Sequence, residues 1–238
     1  MTPNRVILRI QKLYESQNAE KAVNLTNSYV KKYKMNLPLH VALAALAVSY
    51  NKKELATTLL ENVLRSDPKN ARGLYNRGLL YLKNNDFTNA KKLFSEALLN
   101  DRNYTSAIQN LLYILVNTNE VSQIKKWYKK LITDENILEQ NLVLFVKAFK
   151  STGLNDDFVS ATKILLHLNS ESFESNFNFA LAMQRTGQLK KAEEFYNYAL
   201  LIKPNDLEAS NNLAKLHFDD GNIASAIKIL EKTNILTA

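Results

Sequence analysis

The residues best suited to chemistry in this sequence are its three histidines, His40, His167 and His217. They share no spacing that would bring two of them onto one metal ion, and the chain has no cysteine to complete such a site. The absence of cysteine also excludes thiolate catalysis and disulfide bonds. The sequence therefore predicts neither a metal site nor a catalytic histidine.

Two pairs of adjacent aspartates, Asp156-Asp157 and Asp219-Asp220, could supply an acid and a base. Sequence neighbours point in different directions, however, and cannot flank one scissile bond. A carboxylate ahead of a helix instead accepts hydrogen bonds from free backbone N–H groups, so we expect each pair to begin the helix that follows it. Since the sequence also lacks phosphate-binding loops and nucleophile motifs, we predict a chain that is not an enzyme and holds no cofactor.

Lysine pairs are the remaining chemical signal, and aromatic residues between two of them could stack on bases. The pairs are Lys91-Lys92, Lys125-Lys126, Lys129-Lys130 and Lys190-Lys191, with Trp127 and Tyr128 between the second and third. Lysines on the outer face of an amphipathic helix are more often solvated, and Tyr128 falls at a core position of the repeat described below. We therefore disfavour nucleic-acid binding, although the net charge of +8 suits acidic partners.

The composition is that of an ordered chain, since 46% of the 238 residues are apolar and Gly and Pro are scarce. No apolar run approaches the roughly 18 residues that a membrane span requires. The first residues mix charge into their apolar sequence from Arg5 onward, which argues against a signal peptide. We expect a cytoplasmic protein that does not bind membranes.

The sequence contains an internal repeat of 34 residues, which sets where the histidines, aspartate pairs and lysine pairs lie in the fold. We expect the repeats to form a single domain that spans residues 1–238. Counted from Pro3, the predicted repeats are 3–36, 37–70, 71–104, 105–138, 139–172, 173–206 and 207–238.

Three columns of the repeat predict how each copy folds. Position eight is small in four copies, as expected where two helices pack closely. Position fifteen is Gly or Asn in all copies but the first, and these residues favour the left-handed turn that ends a helix. Position twenty is alanine in six copies, provided that three residues are inserted after Gly153. In chain order the columns are Ile10, Ala44, Gly78, Leu112, Val146, Ala180, Ala214; Gln17, Asn51, Asn85, Asn119, Gly153, Gly187, Gly221; and Ala22, Ala56, Ala90, Ile124, Ala161, Ala192, Ala226.

Between the columns, apolar residues recur at i, i+3, i+4 and i+7, which is the period of an α-helix. Each repeat is therefore predicted to be a hairpin of two helices. Pro68 and Pro204 should lie between hairpins, whereas Pro3 and Pro38 should open first helices. No such hairpin buries its apolar face alone, so the hairpins must stack.

The third repeat resembles the tetratricopeptide repeat through Leu74, Gly78, Tyr81, Ala90, Phe94 and Ala97. Repeats six and seven match through further residues of the same pattern, whereas repeats one, four and five depart from it at position eight. The resemblance covers essentially the whole chain. It implies an all-α fold, a right-handed α-solenoid of stacked antiparallel helix hairpins. It also implies that His217, at position eleven, is a packed core residue.

The resemblance further implies that a partner lies in the concave groove lined by the first helices, at positions two, five, six, nine, twelve and thirteen. Position six is asparagine in four repeats, and an asparagine side chain can pair with a peptide backbone as donor and acceptor. Position five has no lysine, which disfavours the carboxylate clamp of chaperone-binding repeats. The candidate groove residues are Arg72, Tyr75, Asn76, Leu79, Gln109, Asn110, Tyr113, Lys147, Phe177, Asn178, Asn211, Asn212 and Lys215.

The amino-terminal part of this groove is apolar. The stretch from Leu37 to Val48 is apolar almost all round, and a helix of that kind is usually covered on every side. We expect its exposed residues to be masked by a partner, by a second copy of the chain in a homo-oligomer, or by a tight superhelical turn. The candidate apolar interface comprises Ile7, Leu8, Val41, Ala42, Ala45 and Val48.

Two functions fit these features. The first is a scaffold that binds an extended peptide or a helix of another protein in the groove. The alternative is the amino-terminal recognition module of a larger enzyme, of glycosyltransferase or sulfotransferase type, whose catalytic domain is absent from this chain. The alternative rests on the seventh repeat, which ends at Ala238 with no polar helix after it to cap the stack.

Replacing Ala90 or Ala192 by leucine is expected to lower the free energy of unfolding by about 1 to 3 kcal/mol, because the larger side chain overpacks a contact between helices. Urea denaturation followed by circular dichroism measures this change. A loss below about 0.5 kcal/mol, the size of an ordinary surface effect, would contradict close packing at position twenty.

Overall fold

The computed structural model describes residues 2–34, 36–132 and 138–235, which form fourteen α-helices and no strand. The helices are α1 Pro3–Glu15, α2 Ala19–Lys32, α3 Leu37–Ser49, α4 Lys53–Ser66, α5 Ala71–Lys83, α6 Phe87–Asn100, α7 Thr105–Asn117, α8 Val121–Ile132, α9 Glu139–Thr152, α10 Asn155–Leu168, α11 Phe173–Arg185, α12 Leu189–Ile202, α13 Leu207–Asp219 and α14 Ile223–Ile235.

The spacing of these helices follows the predicted repeat. Odd-numbered helices begin at the seven predicted repeat starts, from Pro3 to Leu207, and even-numbered helices begin at the same interval, from Ala19 to Ile223. The predicted all-α solenoid of helix hairpins is therefore confirmed. By its internal contacts the chain divides into two compact parts, an amino-terminal unit, Met1–Ile114, and a carboxyl-terminal unit, Leu115–Ala238. A single domain over 1–238 stays a prediction.

The expected insertion after Gly153 is wrong. Helix α10 begins at Asn155, 34 residues after the start of α8, so position twenty of the fifth repeat is Phe158 and not Ala161. Phe158 is fully buried, and the residue one turn later is the small, buried Thr162, where other repeats carry a large ring such as Phe94. Bulk is thus moved by one turn within α10, and a core tolerates such a rearrangement when its total volume is kept.

Position fifteen ends the first helix of every hairpin in the same way. All seven residues of this column have positive φ, from 55° at Asn119 to 78° at Gly221, and no other described residue does. After six of the seven, the next N–H donates back to a carbonyl of the first helix, as from Asn18 to Leu13 at 2.8 Å. This bond satisfies a carbonyl left free at the helix end. The predicted left-handed stop is confirmed, and it includes Gln17.

Helix starts agree with the sequence in most places. Pro3 and Pro38 lie in the first turns of α1 and α3, while Pro68 and Pro204 lie between hairpins. Four residues that precede first helices accept a hydrogen bond from a backbone N–H of the first turn: Asn36, Asn70, Ser172 and Asp206.

The two aspartate pairs take different places. Asp156 and Asp157 lie in the first turn of α10, as expected. For the second pair the expectation is wrong, because Asp219 is the last residue of α13 and Asp220 follows it. The left-handed Gly221 comes next, and Asn222 accepts the hydrogen bond from Ser225 N at the start of α14.

Small residues set the distance between helices in several hairpins. Ala22, Ala56, Ala90 and Ala192 are fully buried. A Cβ placed on Gly78 would lie 2.7 Å from Cε1 of Phe94, so α5 and α6 touch where glycine occupies position eight. Helix α3 packs against α1, α4 and α5, and seven of its thirteen residues are buried. None of the described helices is long and apolar enough to cross a bilayer.

Gln17 carries a testable strain. At φ 59° its Cβ disfavours the left-handed conformation, whereas glycine adopts it freely. Gln17→Gly is therefore expected to raise the free energy of unfolding by about 0.5 to 1 kcal/mol, measured by urea denaturation. Asn18→Gly is the matched control, since Asn18 has φ −89°. Equal stabilisation by both changes would contradict relief of strain at position fifteen.

Candidate functional site

A concave cavity of about 390 Å³ opens between the first helices α3 and α5 of the amino-terminal unit. A volume of this size lies within the range of small-ligand and side-chain pockets, about 300–1,000 Å³. One wall is apolar and comes from α3, and the other is polar and aromatic. The lining residues are Leu37, Pro38, Val41, Ala42, Ala45, Asn70, Arg72, Tyr75, Asn76 and Tyr104.

The apolar wall explains part of the predicted apolar interface. Val41, Ala42 and Ala45 line the cavity, and the two alanines leave the space that a larger side chain would fill. Val48 is buried in the core instead, and Ile7 packs against the core cluster of the amino-terminal unit. Leu8 alone of the six predicted residues is well exposed, at 55%. Neighbouring helices of the same chain therefore provide much of the expected masking.

The opposite wall is built around Tyr75. Its ring centroid lies 4.8 Å from that of Tyr104 and 5.6 Å from that of Phe94, and its hydroxyl accepts a hydrogen bond from Asn110 Nδ2 at 3.0 Å. Burial raises the pKa of Tyr75, while its hydrogen bonds with Ser106 and Asn110 oppose the rise. Burial, reinforced by neighbouring Tyr75, raises the pKa of Tyr104 to about 12. Both rings are thus fixed and uncharged at neutral pH.

Arg72 and Asn76 add polar groups to this wall. Asn76 donates from Nδ2 to the backbone carbonyl of Arg72 at 2.8 Å, one turn earlier in α5. Its Oδ1 accepts from no described residue and remains an acceptor at the cavity. The Arg72 side chain is exposed, and no described carboxylate pairs with it. The wall therefore offers a fixed acceptor and an unpaired cation.

The other predicted groove residues of the amino-terminal unit lie outside the cavity. Leu79 packs against the core cluster, whereas Gln109 and Tyr113 are exposed on α7. The structure thus brings Arg72, Tyr75 and Asn76 together with the predicted apolar residues of α3. Two surfaces that the sequence suggested separately form one site.

In the carboxyl-terminal unit the predicted residues lie on α9, α11 and α13. Lys147, Asn211 and Lys215 are exposed, and Asn212 is half-buried. Asn178 donates to the carbonyl of Glu174 in its own helix at 2.8 Å. Phe177 is buried because it stacks on Phe173 with ring centroids 5.6 Å apart, and Lys150 Nζ lies 5.3 Å from its ring. The Phe177 ring therefore belongs to the core. A partner role for the predicted groove residues of this unit stays a prediction.

The histidines that the sequence offered for chemistry do not form a metal site within the described residues. His217 is partly buried, and its Nε2 lies 3.5 Å from Glu193 Oε1. His40 is buried in α3, and its Nε2 has no partner within the described segments. In those segments no three His, Asp or Glu side chains converge on a point that could hold a metal ion.

The lysine pairs of α8 are also engaged locally. Lys125 Nζ lies 2.9 Å from Asp157 Oδ2, and that hydrogen bond raises the pKa of Lys125. Lys130 Nζ lies 5.2 Å from the Trp127 ring. Tyr128 is buried against Phe145 and Phe149, which confirms its core position.

Sequence reasoning missed Asn70 and Tyr104 at the cavity. Both occupy position 34, immediately before a first helix, and the groove was read only from positions within first helices. Asn70 carries a usable signal, because a polar residue before a helix is a typical N-cap, and here it accepts from Gly73 N at 2.9 Å. Tyr104 carries none, since its place against Tyr75 depends on how α5 and α7 pack.

Two family profiles described as tetratricopeptide repeat match residues 41–111 and 183–235, just over half of the chain. The chain belongs to the tetratricopeptide-repeat family. Proteins of this family generally mediate protein–protein interaction, so the chain is an interaction scaffold of that class. Among curated proteins, none matches the sequence significantly.

One of the solved structures that are similar to this chain shows the same fold. The C-terminal part of a TPR repeat-containing protein from Cytophaga hutchinsonii is similar with a TM-score of 0.70 at 14% identity, over 95% of this chain and 93% of that chain. A tetratricopeptide repeat protein from Parabacteroides merdae has a TM-score of 0.44 at 17% identity, over 98% and 79%. YrrB, described as a TPR protein with an unusual peptide-binding site, has 0.45 at 18%, over 87% and 90%.

Burial of Tyr104 predicts a loss of stability at high pH. The hydroxyl ionises near pH 10 in the unfolded chain but near pH 12 in the folded one, so its contribution is complete below pH 10 and is lost as the pH rises toward 12. Tyr104→Phe should reduce the decline of unfolding free energy in this window, by less than the roughly 1.4 kcal/mol per pH unit of a fully buried group, because the Tyr104 side chain is partly exposed. Urea unfolding at several pH values measures it. Between pH 7 and 9 both proteins should show parallel curves, and parallel curves up to pH 12 would contradict a buried hydroxyl.

Proposed function

We propose that this chain is a non-catalytic scaffold that binds an extended peptide or a helix of a partner protein in the cavity between α3 and α5. This proposal rests on one observation: the apolar wall of Val41, Ala42 and Ala45 and the polar wall of Arg72, Tyr75 and Asn76 line the same cavity. A site with an apolar wall and a few fixed polar groups suits one anchoring side chain of a partner and the partner backbone beside it.

The polar groups suit different parts of such a ligand. Asn76 Oδ1 can accept from a peptide N–H, because its own amide nitrogen already donates to Arg72 O. Tyr75 is held by Asn110 and by two neighbouring rings, so binding would cost little side-chain entropy there. Gln109 and Tyr113, exposed on α7, could extend the contact along the amino-terminal unit.

Several narrower predictions accompany this proposal. The groove roles of Lys147, Phe177, Asn178, Asn211, Asn212 and Lys215 stay predictions, as do a cytoplasmic location and a homo-oligomer through the amino-terminal repeats. The alternative function, a recognition module of a larger enzyme, also stays a prediction.

Filling the cavity tests the proposal. Ala45→Trp should abolish capture of a specific partner from cell extract, because the indole occupies the space of the anchoring side chain. Asn76→Ala combined with Asn110→Ala should weaken capture, because the first change removes the free acceptor and the second frees Tyr75. Affinity capture followed by mass spectrometry identifies the partner, and calorimetry with that partner measures the loss.

Two controls accompany this experiment. Ala224→Trp makes the same substitution at an exposed position of α14 and should leave capture unchanged. Thermal unfolding of every variant separates lost binding from lost folding. A partner that binds equally well to the parent and to Ala45→Trp would remove the cavity from the function.

A further inference from the structure

The net positive charge of the chain comes from its amino-terminal unit. Residues 1–114 contain 17 lysines and arginines against 8 aspartates and glutamates, a net charge of +9. Residues 115–238 contain 14 against 15, a net charge of −1. The candidate cavity therefore lies in the unit that attracts anions.

Part of this charge lies next to the cavity. A second depression, of about 690 Å³, is lined by Lys31, Lys32, Tyr33, Lys34, Asn36 and Pro38, at the connection between α2 and α3. Pro38 also lines the candidate cavity, so the two concave surfaces adjoin. The three lysines are exposed, and no described carboxylate forms an ion pair with any of them.

The opposite side of the cavity carries a second cationic group. Arg72 lines it, and the exposed Lys69 immediately precedes the lining residue Asn70. Two carboxylates lie in the neighbouring connections, but both are held by local hydrogen bonds. Asp67 accepts from Lys69 N and Asn70 Nδ2, and Asp101 accepts from Asn103 N. Cationic side chains thus outnumber carboxylates around the candidate cavity.

We propose that the occupant of this cavity is an acidic segment of a partner protein, in which an apolar side chain is flanked by carboxylates. The apolar side chain enters between Ala42, Ala45 and Tyr75. The carboxylates pair with Arg72 on one side and with the Lys31–Lys34 cluster on the other. This inference rests on the proposed function and adds the chemistry of the partner.

The cavity suits a protein segment better than a nucleic acid. Its α3 wall is aliphatic, and the Tyr75 ring packs on the rings of Tyr104 and Phe94. Stacked bases need free aromatic faces, and these rings offer little of theirs. An aliphatic wall beside unpaired cations instead matches an amphipathic acidic segment.

A displayed library of random 12-residue peptides tests the proposal on the full chain. Peptides are selected on the parent protein at low salt and counter-selected on Ala45→Trp. The expected survivors carry Leu, Phe or Trp within three residues of two or more Asp or Glu. Arg72→Glu should weaken binding of a selected peptide by about tenfold or more, because a charge-assisted pair becomes a repulsion. Arg65→Glu, an exposed position outside the cavity, is the matched control and should change binding less than about twofold.

The outcomes separate the two proposals. Survivors that need the open cavity but show no preference for Asp and Glu would overturn the acidic partner and leave the peptide-binding function standing. No survivor that distinguishes the parent from Ala45→Trp would overturn both. If a mixed-sequence 20-nucleotide RNA displaces a selected peptide from the parent protein at equal charge concentration, and direct binding of that RNA is lost in Ala45→Trp, the cavity would be assigned to nucleic acid and the inference overturned.

Discussion

One backbone conformation governs this molecule: a single left-handed residue that ends the first helix of each hairpin. Seven such residues, from Gln17 to Gly221, occur at intervals of 34 and are the only described residues with positive φ. Each reverses the chain within a few residues, and a hydrogen bond from the following N–H satisfies the helix end in six of them. Because every hairpin turns at the same position of the repeat, the helices keep one spacing of 34 residues along the sequence.

Packing within a hairpin then tolerates variation at the side chains. Gly78 receives the ring of Phe94, while the fifth repeat places Phe158 where other repeats have alanine and reduces the next turn to Thr162. The interval between helices is unchanged by this exchange. A repeat therefore preserves backbone geometry and total volume more strictly than it preserves the residue at any one column.

The candidate cavity also depends on side-chain size. Helix α3 is apolar on most sides, but small Ala42 and Ala45 face α5, where larger side chains would have closed the space. The facing wall is held by the hydrogen bond from Asn110 to Tyr75 and by the ring contact between Tyr75 and Tyr104. Cations at the neighbouring connections are the basis of the proposed preference of this cavity for an acidic partner segment.

The sequence alone determined the helices, the left-handed residues that end the first helices, and the 34-residue spacing of the first helices, because these depend on local backbone preferences and on apolar periodicity within one repeat. The resemblance to the tetratricopeptide repeat also predicted Arg72, Tyr75 and Asn76 as groove residues, because they occupy positions two, five and six of a first helix. Tertiary structure alone decided that these residues share a cavity with α3, that Tyr104 joins them, and that Phe177 turns into the core. The contact between α3 and α5 joins residues of different hairpins, and no pattern within one repeat specifies which side chains of its neighbours will meet it.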